Sequence, residues 1–299
     1  MKVAATSVLL GAEVRAARRG SVSGPSVPLG IATDSLRDLP RDAGTDRVDV
    51  VIDALKRLGV TLIELSSSDI EPASETGGDR SLARTNLRTW RTASTSTTYA
   101  PMRAKFDAAG VQVYSLVVPF GPDVADDEID VMFQQGAALG ARTLCANTTL
   151  DTARRIAPFA ARHRQSVAFQ NQLDATGDGA VATPLQFDAL VALSPWFRLD
   201  LDVGTLTSAV YDAATELRRA LPNVSHVRIT DKLMYGGASQ PFGQGDTPID
   251  DVLAVLLAQQ QEVIPAFVEY DYAGKESSID ELQQSLTYVR QLLAARTSN

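Results

Sequence analysis

Cysteine and histidine are rare in this chain. Its 299 residues include one cysteine, Cys145, and two histidines, His163 and His226. One thiol cannot form an internal disulfide, so a disulfide framework is excluded. Cysteine-rich zinc sites and metal centres with three imidazole ligands are excluded too, because the side chains to build them are missing. The lone Cys145 falls within a predicted strand, where we expect a buried, unreactive thiol.

Positive charge is also in short supply. The chain has 28 Lys and Arg against 36 Asp and Glu, which gives a formal net charge of -8. No broad cationic surface is therefore available for nucleic acid or anionic lipid, and neither is expected as a partner. The longest apolar run, Val3–Leu10, is far shorter than the ~20 residues of a membrane-spanning helix. An apolar fraction of 44% nevertheless allows one well-buried core.

Residues 1–27 are predicted to lie outside the folded domain. A weakly hydrophobic stretch over residues 1–12 is followed by a linker rich in Gly, Ser and Pro, Gly20–Pro28. The first stretch resembles part of a twin-arginine export signal, although the pair Arg18-Arg19 follows it instead of preceding it. Two interpretations stay open: an exported, periplasmic protein, or a cytoplasmic protein with a disordered N-terminus.

From Pro28 onward, short apolar runs alternate with longer amphipathic stretches. The predicted strands are Leu29–Thr33, Thr61–Leu65, Gln112–Val117, Arg142–Ala146, Ser166–Gln170, Phe197–Asp202, Val224–Thr230 and Ile264–Tyr270. The predicted helices are Val48–Leu58, Thr98–Ala109, Asp126–Leu139, Asp151–Arg162, Pro184–Leu193, Thr207–Leu221, Ile249–Gln260 and Ile279–Ala295. Eight alternating units predict an α/β fold, a closed (β/α)8 TIM barrel that forms a single domain over residues 28–299.

The alternative is an open doubly wound sheet. That fold requires a glycine-rich loop after its first strand, and Thr33–Arg37 contains no glycine. Two connections, Ser66–Thr97 and Leu233–Pro248, are longer than ordinary loops. In a barrel they follow the carboxyl ends of strands, so we expect them to act as lids over a ligand site.

Polar residues cluster where the predicted strands end, which is where a TIM barrel carries its chemistry. They are Glu64 on the second strand, Gln170 and Gln172 on the fifth, Asp200 and Asp202 on the sixth, His226, Arg228 and Asp231 on the seventh, and Glu269 and Asp271 on the eighth. The carboxyl end of the barrel is therefore the predicted site.

With these residues in place, the sequence resembles the xylose-isomerase-like TIM barrels, and among them the sugar phosphate isomerase/epimerase family, over roughly Leu29 to Leu293. The stretches that carry the resemblance are Val51–Leu65, Ala138–Arg142, Leu201–Thr205, His226–Asp231, Phe242–Asp246 and Phe267–Asp271. In that family, a Glu, an Asp, a His and a second Glu bind a divalent metal ion that polarises a sugar carbonyl or enediolate. The resemblance thus implies a TIM barrel that acts on sugars.

This chain departs from the family pattern at the metal. The four ligand positions fall on Gln170, Asp202, Arg228 and Glu269. Glutamine is a weak ligand, and an arginine cation cannot coordinate a metal. The groups beside the ligands are altered as well: Gln172 and Thr205 replace histidines, and Thr230 replaces a lysine. No metal cofactor is therefore expected, and Mn or Zn is the less favoured alternative.

Charge suggests what replaces the ion. The family ligands supply three negative charges against a 2+ ion, whereas Asp202 and Glu269 supply two against the single positive charge of Arg228. Both sets sum to minus one. We hypothesise that the guanidinium of Arg228 takes the place of the ion and holds Asp202 and Glu269 by hydrogen bonds.

The catalytic residues expected from this arrangement are Glu269, Asp202 and Arg228. Glu269 is the candidate base, with a pKa that burial raises and Arg228 lowers; the sequence leaves the balance open. Glu64, Gln170, Gln172 and His226 are the expected substrate-binding residues. His226 shares a strand face with Arg228, so it is either a second acid/base or a hydrogen-bonded residue of the barrel interior.

Two functions remain. One is a sugar isomerase or epimerase that works by proton transfer on a small carbohydrate or keto-sugar, without phosphate recognition. The other is a catalytically inactive carbohydrate-binding barrel or partner subunit, since charge clusters also occur for structural reasons. A homo-oligomer is compatible with both. A DNA repair endonuclease is excluded by the acidic balance and by the lack of a histidine-rich site for several metals.

Overall fold

The computed structural model describes residues 26–41, 44–72, 80–173, 179–259 and 263–297. Eight parallel strands form a closed barrel in which β8 pairs with β1. The strands are β1 (Leu29–Ala32), β2 (Leu62–Ser66), β3 (Gln112–Val117), β4 (Thr143–Ala146), β5 (Ser166–Gln170), β6 (Phe197–Asp202), β7 (Val224–Ile229) and β8 (Ala266–Val268). The predicted TIM barrel is confirmed, and the alternative of an open sheet is wrong. Residues 1–25 of the proposed targeting segment lie outside the described part of the chain.

Helices surround the barrel. They are α1 (Arg47–Leu58), α2 (Arg80–Ala93), α3 (Ser96–Ala108), α4 (Asp126–Leu139), α5 (Leu150–His163), α6 (Pro184–Val191), α7 (Val203–Ser208), α8 (Ala213–Ala220), α9 (Ile249–Leu257) and α10 (Ser278–Thr297). None of the helices in the described ranges combines the length and the hydrophobicity of a membrane-spanning segment.

The first helix illustrates how local sequence sets the helix ends. The Asp46 side chain accepts hydrogen bonds from the backbone N–H groups of Val48 and Asp49, which caps the N-terminus of α1. Gly59 ends the helix in a left-handed conformation with φ of 62°. The buried face of α1 repeats at helical spacing through Val48, Val51, Ile52, Leu55 and Leu58. Because the caps and the buried pattern are visible in the sequence, the predicted bounds of α1 differ from the observed ones by a single residue.

The helix α2 was not predicted. The connection Ser66–Thr97, expected to be a lid, contains α2, which is polar and lies against α4 instead of over the barrel. Arg91 forms ion pairs with Glu71 at 2.8 Å and Glu128 at 3.4 Å, and Arg84 pairs with Glu128 at 2.7 Å. The helix is polar on average and has few apolar residues, so no apolar run marks it in the sequence.

The predicted helix Thr207–Leu221 is two helices. The first, α7, begins directly after Asp202, and the second, α8, begins at Ala213. Val210 lies between them with φ of 65°, a left-handed conformation that a β-branched residue rarely adopts. The turn at Val210 interrupts the helical repeat.

The second predicted lid, Leu233–Pro248, is a folded connection. The Asp231 carboxylate accepts hydrogen bonds from the backbone N–H groups of Gly243, Gly245 and Thr247, at 2.7, 3.0 and 3.2 Å. The backbone N–H of Gln240 donates to the Asp231 carbonyl at 2.7 Å. One residue at the end of β7 therefore ties this connection to the barrel rim.

Candidate active site

A cleft of about 430 Å³ opens at the carboxyl ends of the strands. Its wall is formed by Asp34, Val117, Asn147, Gln170, Asn171, Gln172, Leu173, Asp202, Thr205, Arg228, Lys232, Glu269 and Asp271. Five of the predicted site residues thus meet in one place, while Glu64 and His226 are absent from the wall. Four carboxylates face two cations in this cleft, so its charge is negative overall.

Asp202 is held by short hydrogen bonds at the end of β6. It caps α7, because its carboxylate accepts from the backbone N–H of Thr205 at 3.0 Å and from the Thr205 hydroxyl at 2.9 Å. The Thr230 hydroxyl donates to the same carboxylate at 2.7 Å, and Gln170 Nε2 approaches it at 3.5 Å. Asn171 fixes the backbone of Asp202 through two further hydrogen bonds. Asp202 is therefore oriented before any ligand arrives.

Arg228 is 3% exposed and contacts carboxylates on both sides. Its Nη1 lies 3.2 Å from both oxygens of Glu269, and its Nη2 donates to Glu64 and lies 3.3 Å from Asp200. The hypothesis that Arg228 holds both Asp202 and Glu269 is therefore wrong for Asp202, although Arg228 does contact Glu269. Asp202 and Arg228 are paired across β6 and β7, but Asp202 bonds to hydroxyl groups, and Arg228 reaches down to Glu64 and Asp200 instead.

Glu269 follows β8 and has a side chain that is 14% exposed. Burial raises the pKa of Glu269 to about 7, the opposing effect of Arg228 is smaller, and Asp202, Asp271 and Asp34 raise it further. Burial therefore affects the pKa of Glu269 more than Arg228 does, a comparison that the sequence left open. A carboxyl group with this pKa accepts and releases protons near neutral pH, which is what a general base requires.

Lys232 is a cation of the cleft that the sequence analysis missed. Its Nζ lies 3.2 Å from Asp271, 3.9 Å from Asp202 and 3.2 Å from the Thr205 hydroxyl. Burial opposes its charge, yet Asp202 and Asp271 outweigh burial and raise the pKa of Lys232. The lysine lies two residues beyond the family lysine position occupied by Thr230. Its position directly after Asp231 was the available signal.

Glu64 and His226 lie beneath the cleft, both with 0% exposure. His226 Nε2 is 2.8 Å from Glu64 and 3.4 Å from Asp200. Burial lowers the pKa of His226, but Asp200 and Glu64 outweigh it and raise the pKa to about 9. Burial has the opposite effect on the Cys145 thiol and raises its pKa; this thiol donates to Asp200 at 3.2 Å. Of the two alternatives for His226, this position matches a hydrogen-bonded residue of the barrel interior.

The two glutamines differ in their surroundings. Gln170 is half-buried beside Asp202, whereas Gln172 donates to the Thr148 carbonyl at 3.4 Å. Both line the cleft. Their amides offer donors and acceptors without charge, which suits hydroxyl groups of a ligand.

The residues at the family's metal position do not fit a divalent ion. Both oxygens of Glu269 face the Arg228 guanidinium, and both oxygens of Asp202 accept hydrogen bonds from Thr205 and Thr230. Gln170 contributes no charge. A metal there would meet one fixed cation and no imidazole.

A second set of potential donors lies deeper. Ligand atoms of Glu64, Cys145, Asp200 and His226 lie within 4.8 Å of one another, and all four residues are buried. Nη2 of Arg228 occupies the same space, because it contacts both Glu64 and Asp200. The guanidinium therefore already neutralises the carboxylates that an ion would need.

Comparisons of the sequence with protein-family profiles and with curated proteins found no match. Solved structures do match. The probable 3-DHS dehydratase AsbF from Bacillus anthracis has a TM-score of 0.62 at 12% identity, over 88% of this chain and 98% of that one. D-psicose 3-epimerase has a TM-score of 0.62 at 12% identity, over 89% and 99%. A sugar phosphate isomerase/epimerase from Parabacteroides distasonis ATCC 8503 has a TM-score of 0.57 at 15% identity, over 91% and 97%.

These similarities cover nearly the whole of each barrel. The chain therefore shares the TIM-barrel fold of these proteins, the fold that its sequence predicted. Sequence identities of 12% to 15% support a shared fold but not a shared reaction. Any reaction therefore has to be inferred from the residues of the cleft.

Proposed function

We propose that this protein is a sugar isomerase or epimerase that transfers a proton on a carbohydrate or keto-sugar without a divalent metal ion. The observation that carries the proposal is the position of Glu269: its carboxyl group lines the cleft, is 14% exposed and lies 3.2 Å from Arg228 Nη1, and burial raises its pKa to about 7. Dehydratases and epimerases occur among the structural relatives, and removal of a proton from a carbon beside a carbonyl is a step that both reaction types can use.

Six residues of the cleft have roles in this reaction. In isomerisation, Glu269 takes the proton from one carbon and returns it to the neighbouring carbon of the enediolate. In epimerisation, water delivers a proton to the opposite face of the same carbon. Lys232 stabilises the negative charge that develops on the carbonyl oxygen, as an oxyanion donor does. Asp202, Gln170 and Gln172 bind hydroxyl groups. Arg228 stays bound to Glu269 and keeps its carboxylate oriented.

The charge of the cleft favours an uncharged substrate. Asp34, Asp202, Glu269 and Asp271 supply four carboxyl groups against Arg228 and Lys232, and both cations already contact carboxylates. A phosphate group would bring further negative charge into a cleft that is already negative overall. Unphosphorylated ketoses are therefore the proposed substrates.

The test is proton exchange with solvent. Free ketoses are incubated with the protein in D2O, with and without EDTA, and deuterium at the carbon beside the carbonyl is followed by NMR. Exchange that is unaffected by EDTA and that falls about 100-fold or more in Glu269→Gln supports the proposal. The exposed Glu276→Gln serves as the matched control. Exchange that EDTA abolishes, or that occurs only with phosphorylated ketoses, contradicts it.

The second candidate is an inactive carbohydrate-binding barrel. It is favoured by the engagement of both Nη atoms of Arg228 in ion pairs, which leaves this cation no group for a substrate except a buried Nε. Thermal stabilisation by a ketose without deuterium exchange identifies this function.

A further inference from the structure

The interior layer beneath the cleft is unusual for a barrel. Such layers are normally filled by Val, Ile and Leu, yet here Glu64, Asp200, His226 and Cys145 come from β2, β6, β7 and β4 and are all 0% exposed. Burying carboxylates costs several kcal/mol each unless they are paired. The desolvation of Glu64 and Asp200 must therefore be offset by nearby positive charge.

Arg228 connects this layer to the cleft. Its two terminal nitrogens point in different directions: Nη1 to Glu269 at the mouth, and Nη2 to Glu64 and Asp200 below. The lower carboxylates are themselves fixed. Ser115 donates to Glu64 at 2.8 Å, and Cys145 donates to Asp200 at 3.2 Å.

His226 completes the layer. Its Nε2 lies between Glu64 and Asp200, and its ring packs edge-on against Tyr114 and Phe267, with centroids at 5.5 and 5.3 Å. Asp200 and His226 are also register partners across β6 and β7. The imidazole thus cannot shift without disturbing both carboxylates that contact Arg228.

We propose that Glu64, Asp200 and His226 are positioning residues. They hold the Arg228 guanidinium against Glu269, and the two carboxylates of the layer partly neutralise its positive charge. The inference deepens the proposed function and rests on it. If Glu64 and Asp200 did not form ion pairs with the guanidinium, Arg228 would pair with Glu269 alone and would favour the charged form of Glu269. The layer therefore keeps Glu269 a usable base at neutral pH.

Charge balance is consistent with this arrangement. Arg228 and a protonated His226 supply two positive charges against Glu64 and Asp200, so the layer is neutral before Glu269 is counted. The other charged groups acting on Glu269 are Asp34, Asp202, Asp271 and Lys232, which all belong to the cleft. None of them is altered by a substitution in the layer.

The experiment follows two NMR signals in the full-length protein, and it needs no substrate. The first is the side-chain 15N–1H spectrum of Arg228, assigned by its loss in Arg228→Lys. The second is the carboxyl 13C titration of Glu269, assigned by its loss in Glu269→Gln. Both are recorded for the wild type, Glu64→Gln and Asp200→Asn, with Cys145→Ser as the matched control from the same layer.

We expect both layer variants to speed the exchange of the Arg228 Nη hydrogens and to lower the proton affinity of Glu269 about tenfold, while Cys145→Ser changes neither signal. Should Glu64→Gln fail to fold, Asp200→Asn carries the test. An unchanged or increased proton affinity in folded variants overturns the inference, and so does stoichiometric zinc that is lost in Cys145→Ser. A positive result with no deuterium exchange on any sugar overturns only the proposed function.

Discussion

Replacing Glu269 with glutamine should stabilise the protein, and increasingly so as the pH rises. A carboxyl group whose pKa is higher in the folded state makes folding less favourable once the unfolded chain has released its proton. For Glu269 the pKa rises from 4.5 to about 7. At about 1.4 kcal/mol per pH unit, this difference corresponds to about 3 kcal/mol.

The sign follows from the two protonation states. Below pH 4.5 both the folded and the unfolded chain hold the proton, so Glu269 adds no pH dependence. Between 4.5 and about 7 only the folded chain keeps it, and stability is lost as the pH rises. Glutamine has no proton to lose there. The gap in unfolding free energy between Glu269→Gln and the wild type should therefore grow by about 3 kcal/mol and level off above pH 7.

Urea unfolding of both proteins from pH 4 to pH 9 measures this gap. Other groups, His226 included, titrate in both proteins, so their effects largely cancel in the difference. The exposed Glu276→Gln is the control and should change stability by less than about 0.5 kcal/mol at every pH. A gap for Glu269→Gln that stays flat, or that shrinks as the pH rises, would refute the argument that burial outweighs Arg228.

Three further predictions concern stability at pH 7, measured by the same unfolding assay. Arg228→Leu should lose about 3–5 kcal/mol, because it leaves Glu64 and Asp200 buried without their cation; a loss below about 1 kcal/mol would contradict the pairing. Asp202→Ala should lose about 1–2 kcal/mol with the cap of α7, and an unchanged midpoint would remove that role. Val210→Asn should gain about 1 kcal/mol, since asparagine tolerates φ of 65° better than valine; a loss would show that the turn depends on the valine side chain.

Most of the barrel could be predicted from the sequence, because buried parallel strands are short apolar runs that turn residues separate. The strands Gln112–Val117, Ser166–Gln170 and Phe197–Asp202 have the bounds that their sequences predicted. The helix α2 was missed because it has few apolar residues, and its ion pairs reach Glu71 and Glu128 outside the helix. Partners so far apart in sequence leave no local pattern.

The sequence predicted which side chains would lie together better than it predicted their contacts. Asp202, Arg228 and Glu269, all at predicted strand ends, line one cleft. The partners of Arg228 depend on which way a long side chain turns, and no spacing rule determines whether it reaches Asp202 or Asp200. The pKa of Glu269 similarly depends on the depth of burial, which only the folded barrel defines.

In the proposed function, Arg228 takes the place of a divalent ion. Metal analysis of the purified protein after dialysis against Mn2+, Co2+ and Zn2+ is the test, with the double variant Gln170→Glu, Arg228→His as the comparison. We expect the wild type to retain well under ~0.1 equivalent of metal and the double variant to retain clearly more. About one equivalent in the wild type, lost in Asp202→Asn or Glu269→Gln, would contradict it.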